Sequence, residues 1–253
     1  MSLIGGRVSS VALAATLFAA PSVRADLTLH QSLENNRAGQ ISTEARTVYI
    51  KGKRQKTDSQ DRSLIYDLDR GVLIDVDKEH KAYREVLFAK LPHSSGTSIS
   101  YRKKGRVKTI AGFKCELYEV THAGNEDIAE RACYSESVPN AQEATDFGVM
   151  FLTALTRPHA KRHFPPAGVA LLSEASSEEP PLRVPSNLSE EEQQRIRDYI
   201  AEHPEEKGGK MVTTIVVESV ETTAIDDGEF SPPKDYKKIV PRKSGSKGRG
   251  WSL

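Results

Sequence analysis

The chain is poor in cysteine and lacks the short motifs that mark the common enzyme classes. Only two of its 253 residues are cysteine, and no C-x-x-C pair or histidine cluster accompanies them to complete a zinc site. The sequence also contains no G-x-S-x-G nucleophile elbow, no G-x-x-x-x-G-K-[ST] phosphate loop and no dinucleotide fingerprint. We therefore expect no catalytic residue, no metal and no cofactor, in a protein that is not an enzyme.

An apolar run long enough to cross a membrane is also absent, because a spanning helix needs about 20 residues. The apolar run at residues 8–20 is too short, but Arg7 precedes it and Pro21 breaks it. The small-residue pattern Val-Arg-Ala follows at residues 23–25. This order is typical of a secretory signal peptide over residues 1–25. We expect no transmembrane segment in the mature chain and a periplasmic or secreted protein.

The mature chain lacks an excess of either charge. Cleavage before Asp26 would remove two of the 36 basic residues, Arg7 and Arg24, and none of the 35 acidic ones, which leaves a net charge of −1. A protein that binds nucleic acid usually shows a basic domain. The sequence therefore excludes nucleic acid as a principal partner.

What the mature chain does contain is mostly short strand patterns. Segments with β-branched and aromatic residues alternate with polar turns, which predicts an antiparallel, mainly β fold with a few helices. Across residues 64–83 the alternation predicts one face toward an apolar interior and one toward water. The predicted strands outside the cysteine hairpin are residues 27–33, 43–51, 64–66, 72–74, 82–87, 98–102, 107–111, 169–172 and 211–223, with a loop at 176–185.

The two cysteines lie in a predicted hairpin. Phe113–His122 and residues 126–135 are typical strands, and a turn centred on Gly124 would place Cys115 directly opposite Cys133. Directly opposed residues in a non-hydrogen-bonded pair have Cα atoms about 4.5 Å apart, within disulfide range. Oxidising compartments favour such a bond. We predict a disulfide, and the alternative is two buried free thiols.

Two helices interrupt the strand pattern. Ala141–Leu155 is apolar at helical spacing and predicts a helix lying against the sheet. Ser189 and Glu192 form a capping box that starts a second, highly charged helix, which we place as a surface insertion at residues 187–206. The domain spans residues 26–240. The chain is basic and rich in glycine and serine from Lys237 on, and residues 241–253 are predicted to be disordered.

Several short segments of the chain carry a family resemblance. They are residues 48–54, the hairpin at Asp67, residues 81–83 and 109–118, and the closing Asp227, Phe230, Pro232, Pro233 and Tyr236. Together they resemble the DUF4412 family of exported bacterial proteins, which is similar to the LolA/LolB-like lipoprotein-carrier superfamily. The resemblance implies a LolA-like fold: a curved antiparallel sheet, or incomplete β-barrel, whose concave side is covered by helices and holds acyl chains. The charged helix and the basic tail depart from the pattern of those carriers.

An apolar stripe on the first helix is the candidate ligand site. Phe147, Met150, Phe151 and Ala154 share a face of that helix, and two readings are open. In one the stripe seals the core of the sheet. In the other it is the lid of a cavity for an acyl chain, a use that suits the flexible methionine.

Two groups of residues have some features of a metal site, but each also has a simpler structural role. His159 and His163 have the spacing of ligands on one helix face, but Lys161 and Arg162 place cations between them, which favours a basic loop. The aspartates at 67, 69, 75 and 77 lack the mid-loop glycine and terminal glutamate of an EF-hand, and aspartate is common in hairpin turns.

The expected function is therefore binding without catalysis. We expect an exported cell-envelope protein that holds a hydrophobic ligand, a lipid or a lipidated partner between sheet and helices. The basic clusters at 102–106 and 237–249 are either solvated faces or contacts with an anionic membrane surface. The alternative function is a structural or protein-interaction module with a fully packed core.

Overall fold

The computed structural model describes residues 26–37, 39–91, 99–122, 128–155, 164–179, 184–185, 188–203 and 208–240. Four predictions lie outside these ranges: the signal peptide at 1–25, the hairpin turn at Gly124, the histidines at 159 and 163, and the tail at 241–253. In the described part of the chain, no helix is long and apolar enough to cross a membrane.

The strands of the described residues form one twelve-stranded sheet, which confirms the mainly β class. Its order is β12-β6-β5-β4-β3-β2-β1-β11-β10-β9-β8-β7. Neighbouring strands are antiparallel, except that β12 is parallel to β6. The strands are β1 (Leu27–Arg37), β2 (Gln40–Lys51), β3 (Arg54–Asp58), β4 (Arg62–Asp67), β5 (Val72–Asp77), β6 (Ala82–Leu87), β7 (Ile99–Ile110), β8 (Phe113–His122), β9 (Ala129–Ser135), β10 (Val169–Glu179), β11 (Gly209–Glu221) and β12 (Lys237–Lys238).

Two meanders make up this sheet. One runs from β1 to β6 and the other from β7 to β11, and they join where β1 pairs with β11. Strands β7 and β11 lie four places apart in the sheet order yet approach each other closely, so the sheet is strongly curved. It remains open, because β12 and β7 are its two outermost strands.

Helix α1 (Ala141–Leu155) covers one side of the sheet, which we call the helix face. Its bounds are those predicted from the sequence. Alternation along each strand decides which side chains meet it, so Val48 and Ile50 of β2 join the core under α1 while Tyr49 points to the other side. Buried residues of this core include Leu27, Leu29, Leu117, Phe147, Val169, Leu171 and Val217.

Residues 225–236, which we call the strap, cover part of the opposite side, the strap face. Ile225 and Phe230 of the strap are buried against Ile65, Ile74 and other side chains of β4 and β5. A 3-10 helix, Asp227–Phe230, lies within it. The prediction that one face of residues 64–83 is turned to water is wrong. In β4 the strap buries Ile65, which alternates with the predicted apolar-facing Leu64 and Tyr66, and in β5 residues 72–76 are buried on both sides.

Helix α2 (Glu190–Glu202) has the predicted start. The Ser189 side chain accepts a hydrogen bond from the Glu192 N–H, and the Glu192 carboxylate accepts one from the Ser189 N–H. No residue of α2 is buried. The helix lies between β10 and β11 in the chain, as expected of a surface insertion.

The strand boundaries correct the sequence prediction at several points. Strand β3 was not predicted, and β7 is one strand with an irregularity between Lys103 and Val107 rather than two strands. Strand β10 extends to Glu179, so the loop predicted from 176 starts later. The basic C-terminal segment begins as β12, where the Lys237 N–H donates to the Lys81 carbonyl.

The predicted disulfide is present, but in a different register. Cys115 and Cys133 are bonded, with their Cα atoms 5.3 Å apart. In the sheet Cys133 lies opposite Leu117, so Cys115 is its diagonal neighbour and not its direct partner. The hairpin therefore pairs two residues away from the register expected for a turn centred on Gly124.

Candidate functional site

Half of the predicted stripe on α1 lies in an aromatic cluster on the helix face. Phe147 is buried and stacks on Phe151, with ring centroids 5.8 Å apart. The Phe151 ring also meets the edges of Tyr66 at 5.0 Å and Phe88 at 6.3 Å. We call these four residues the aromatic cluster. Sequence reasoning did not place Tyr66 or Phe88 in the site, although the alternation in β4 already marked Tyr66 as apolar-facing.

The other half of the stripe is less covered. Met150 is half-buried, and Ala154 is exposed along with Thr153. The last turn of α1 therefore extends beyond the core. The aromatic cluster is closed at Phe147 and reaches the surface toward Met150 and Phe151.

Hydrogen bonds fix the first half of α1. The buried Glu143 carboxylate accepts a hydrogen bond from the Gly52 N–H in the turn between β2 and β3. The Thr145 hydroxyl accepts another, at 2.8 Å, from the Gly168 N–H just before β10. The second half of the helix meets the sheet through the rings of the aromatic cluster. The helix is thus anchored to both meanders at its start.

Polar groups occupy the helix face beside the aromatic cluster. Asp75 alternates with Ile74 in β5, so it points to the helix face, where it accepts hydrogen bonds from Arg62 at 2.5 and 2.8 Å and from Arg84 at 2.7 Å. The Asp75 side chain is only 11% exposed. The helix face is therefore not apolar throughout, because β4, β5 and β6 hold this ion-paired cluster on it.

Acid should weaken the fold partly through Asp75. Burial alone would raise the pKa of Asp75, but hydrogen bonds from Arg62 and Arg84 outweigh it and hold the pKa below its ordinary value. Such a carboxylate stabilises the fold above its unfolded-state pKa and loses that contribution as the pH falls through its folded-state pKa. We expect the free energy of unfolding to decrease as the pH drops below about 4. The Asp75→Asn variant should show a smaller decrease. Urea unfolding of the wild type and of Asp75→Asn at pH 7 and pH 3 measures this decrease. An equal decrease in the two proteins would contradict a contribution of Asp75 to the acid sensitivity.

The aspartates that could have been calcium ligands form hydrogen bonds or ion pairs within the protein. Asp67 accepts a hydrogen bond from the Arg70 N–H at 2.9 Å within its turn. Asp69 pairs with Lys53, and Asp77 accepts from the N–H and ring of His80. These contacts are those of turn residues, which favours a structural role in the hairpins over calcium binding. Within the described ranges, no group of three or more His, Cys, Asp or Glu residues is placed to hold a metal ion.

The basic cluster at 102–106 lies on β7, the outermost strand beside β8. Arg102 and Lys104 both pair with Glu119, and Lys103 pairs with Glu116 at 2.5 Å. Acidic residues of β8 therefore neutralise much of this cluster. Contact with an anionic membrane surface stays a prediction.

A cavity of about 470 Å³ lies on the strap face. It opens between β3, β4 and β5 on one side and the strap on the other, and none of its lining residues belongs to α1. No local pattern indicates this cavity, because its walls are distant along the chain: Lys56 and Glu229, which both line it, are 173 residues apart.

No family model and no curated protein matches the chain, so membership of the DUF4412 family stays a prediction. Among solved structures, the chain is similar to a chain of the Pseudomonas aeruginosa MucA/MucB complex, with 10% identity and a TM-score of 0.43; the match covers 86% of this chain and 59% of that one, less than two thirds. It is also similar to a domain from Vibrio parahaemolyticus described as lipoprotein-sorting, with 9% identity, a TM-score of 0.36 and coverage of 83% and 90%. A third is a LolA superfamily protein from Nitrosomonas europaea, with 8% identity, a TM-score of 0.30 and coverage of 83% and 91%. Each of these three TM-scores is below 0.5, so function has to be argued from the geometry of this chain.

Proposed function

We propose that this protein is an exported, non-enzymatic binding protein of the cell envelope that holds an apolar chain between α1 and the helix face of the sheet. The ligand is a lipid or the acyl group of a lipidated partner. The observation that carries the proposal is the aromatic cluster, which is buried at Phe147 and opens to the surface at Phe151 and Met150. Covering apolar surface of this kind with a ligand removes it from water, which lowers the free energy.

Two further features support an envelope role. The bond between Cys115 and Cys133 suits an oxidising compartment. The predicted signal peptide at residues 1–25 would deliver the chain there. The Asp26 carboxylate accepts a hydrogen bond from the Ile225 N–H at 2.7 Å, so the fold makes use of the chain from the predicted cleavage site onward.

A charge placed at the open end of the aromatic cluster should weaken binding. We expect Met150→Lys to weaken the binding of a fluorescent fatty acid about tenfold or more, because the ammonium group would have to be desolvated beside the acyl chain. Thr153→Lys is the matched control: the same charge on an exposed position of the same helix should leave binding unchanged. Fluorescence titration of the exported protein measures both.

Native mass spectrometry supplies a second test without a chosen probe. The protein, purified from an envelope fraction without detergent, should carry lipid that Met150→Lys loses and Thr153→Lys keeps. Lipid-free protein that also fails to bind the fatty acid would overturn the proposal.

A structural or protein-interaction module is the second candidate. The observation that favours it is the packing of Phe147, which is only 4% exposed and stacked on Phe151, as in an ordinary core. In that case Met150→Lys and Thr153→Lys would have equal and small effects on every ligand tested.

A further inference from the structure

Charged side chains form one end of the cavity under the strap. Lys56 is only 14% exposed, and its ammonium group lies 2.9 Å from the Glu229 carboxylate and 3.5 Å from that of Asp58. Lys78 reaches the same Asp58 carboxylate at 3.0 Å. Ser63 also donates a hydrogen bond to Asp58. Two ammonium groups therefore converge on one carboxylate at the edge of the cavity.

The charges that line this cavity do not balance. Lys56, Lys78 and Lys234 are opposed by Asp58 and Glu229. Lys234 is exposed on the strap and pairs with no carboxylate in the described part of the chain. The lining thus carries one net positive charge, and the field of a partly enclosed cavity favours a ligand of opposite sign.

Most of the other lining residues are apolar, although Ser63 and Ser231 also belong to the lining. Ile65 and Val76 are buried side chains of the sheet, and Pro232, Pro233 and Tyr236 face them from the strap. None of the lining residues is arginine, the side chain that binds phosphate in a bidentate manner. The volume of about 470 Å³ lies within the range of small-molecule sites. These features favour a singly charged anion with an apolar body over a phosphorylated ligand.

We infer that the cavity between β3–β5 and the strap is a second ligand site, which takes a small amphipathic carboxylate. The carboxylate lies toward Lys56, Lys78 and Lys234, and the apolar body lies between Ile65, Val76 and Tyr236. This site is on the opposite side of the sheet from the aromatic cluster. It does not depend on the function proposed for α1.

Nuclear magnetic resonance of the ¹⁵N-labelled exported protein tests the inference with octanoate as the probe. Octanoate should give saturable shifts at the backbone amides of β3, β4, β5 and the strap. Octylamine, which has the same chain and the opposite charge, should bind about tenfold more weakly or not at all. Lys234→Glu should weaken octanoate binding by about the same factor, because it reverses the uncompensated charge without touching the core. Lys108→Gln, on exposed β7, should leave it unchanged.

Each outcome of the octanoate experiment supports or overturns a ligand site under the strap. Saturable shifts under the strap that prefer octanoate and depend on Lys234 would support it. Equal binding of octylamine, no effect of Lys234→Glu, or no saturable shift at all would overturn it. Shifts confined to α1 would place octanoate in the aromatic cluster and also overturn it, while leaving the function proposed for α1 intact. Failure of the fatty acid to bind at α1 would have no bearing on the shifts under the strap.

Discussion

Replacing Cys115 and Cys133 together by alanine should lower the free energy of unfolding by about 3 kcal/mol, because the disulfide closes a loop of moderate length in the unfolded chain. The two cysteines are 18 residues apart in sequence. The bond also joins β8 to β9 within the core under α1, where both side chains are almost fully buried. Alanine is preferred to serine, since a buried hydroxyl without a partner would add its own cost.

The wild-type protein with its disulfide reduced is the matched control, because it removes the bond and changes no residue. Guanidinium unfolding with and without reductant should show the same loss as the double variant, within the small cavity cost of the two alanines. The double variant should not respond to reductant. Wild-type stability that is unchanged by reductant would show that the bond contributes nothing to the fold.

The features predicted most accurately are those that local sequence determines. The helix over Ala141–Leu155 has an uninterrupted apolar spacing, and its bounds agree with α1. The capping box at Ser189 and Glu192 requires only four residues, and both of its hydrogen bonds form. Strand β8, Phe113–His122, also has its predicted bounds. In each case the determining interactions lie within a few residues of one another.

The sequence does not predict β3, because its own residues show no strand pattern and the segment that covers it is distant along the chain. Its residues Arg54 and Lys56 are charged and give no apolar alternation. In the structure Arg54 pairs with Asp227 at 2.6 Å and Lys56 pairs with Glu229 at 2.9 Å, both on the strap. These contacts span 173 residues. A charged strand that is partly covered by a distant segment leaves no local periodic signal.

The strap explains two other differences. It buries Ile65, on the side of β4 that the alternation assigned to water, because a sheet face can also be covered by a segment that lies outside the sheet. It also forms one wall of the cavity, so no single stretch of sequence contains that site. On the helix face, the partners of Phe151 come from β4 and from the 3-10 helix Phe88–Lys90, and their meeting depends on the curvature of the sheet.

Truncating Phe147 should cost more stability than any other single change in α1. We expect Phe147→Ala to lower the free energy of unfolding by about 3–5 kcal/mol, the range for an aromatic side chain removed from a packed core. Phe147 is 4% exposed and stacks on Phe151, so its loss leaves a cavity and removes a ring contact. Phe164→Ala is the matched control: that ring is 44% exposed and should cost less than 1 kcal/mol, roughly the range for surface substitutions. Urea unfolding of the three proteins measures both differences.

Phe147→Ala and Met150→Lys together separate the two roles of α1. If the helix is a lid that opens around an acyl chain, Phe147 holds the fixed end, and Phe147→Ala should destabilise the fold while the bound fatty acid restores part of the loss. Met150→Lys should do the reverse, with little effect on stability and a large effect on binding. If the helix only seals the core, saturating fatty acid would raise the stability of neither the wild type nor Phe147→Ala. If Phe147→Ala lowered the free energy of unfolding by less than about 1 kcal/mol, the packing of α1 itself would be contradicted. Removing a buried, stacked ring from a close-packed core costs more than that.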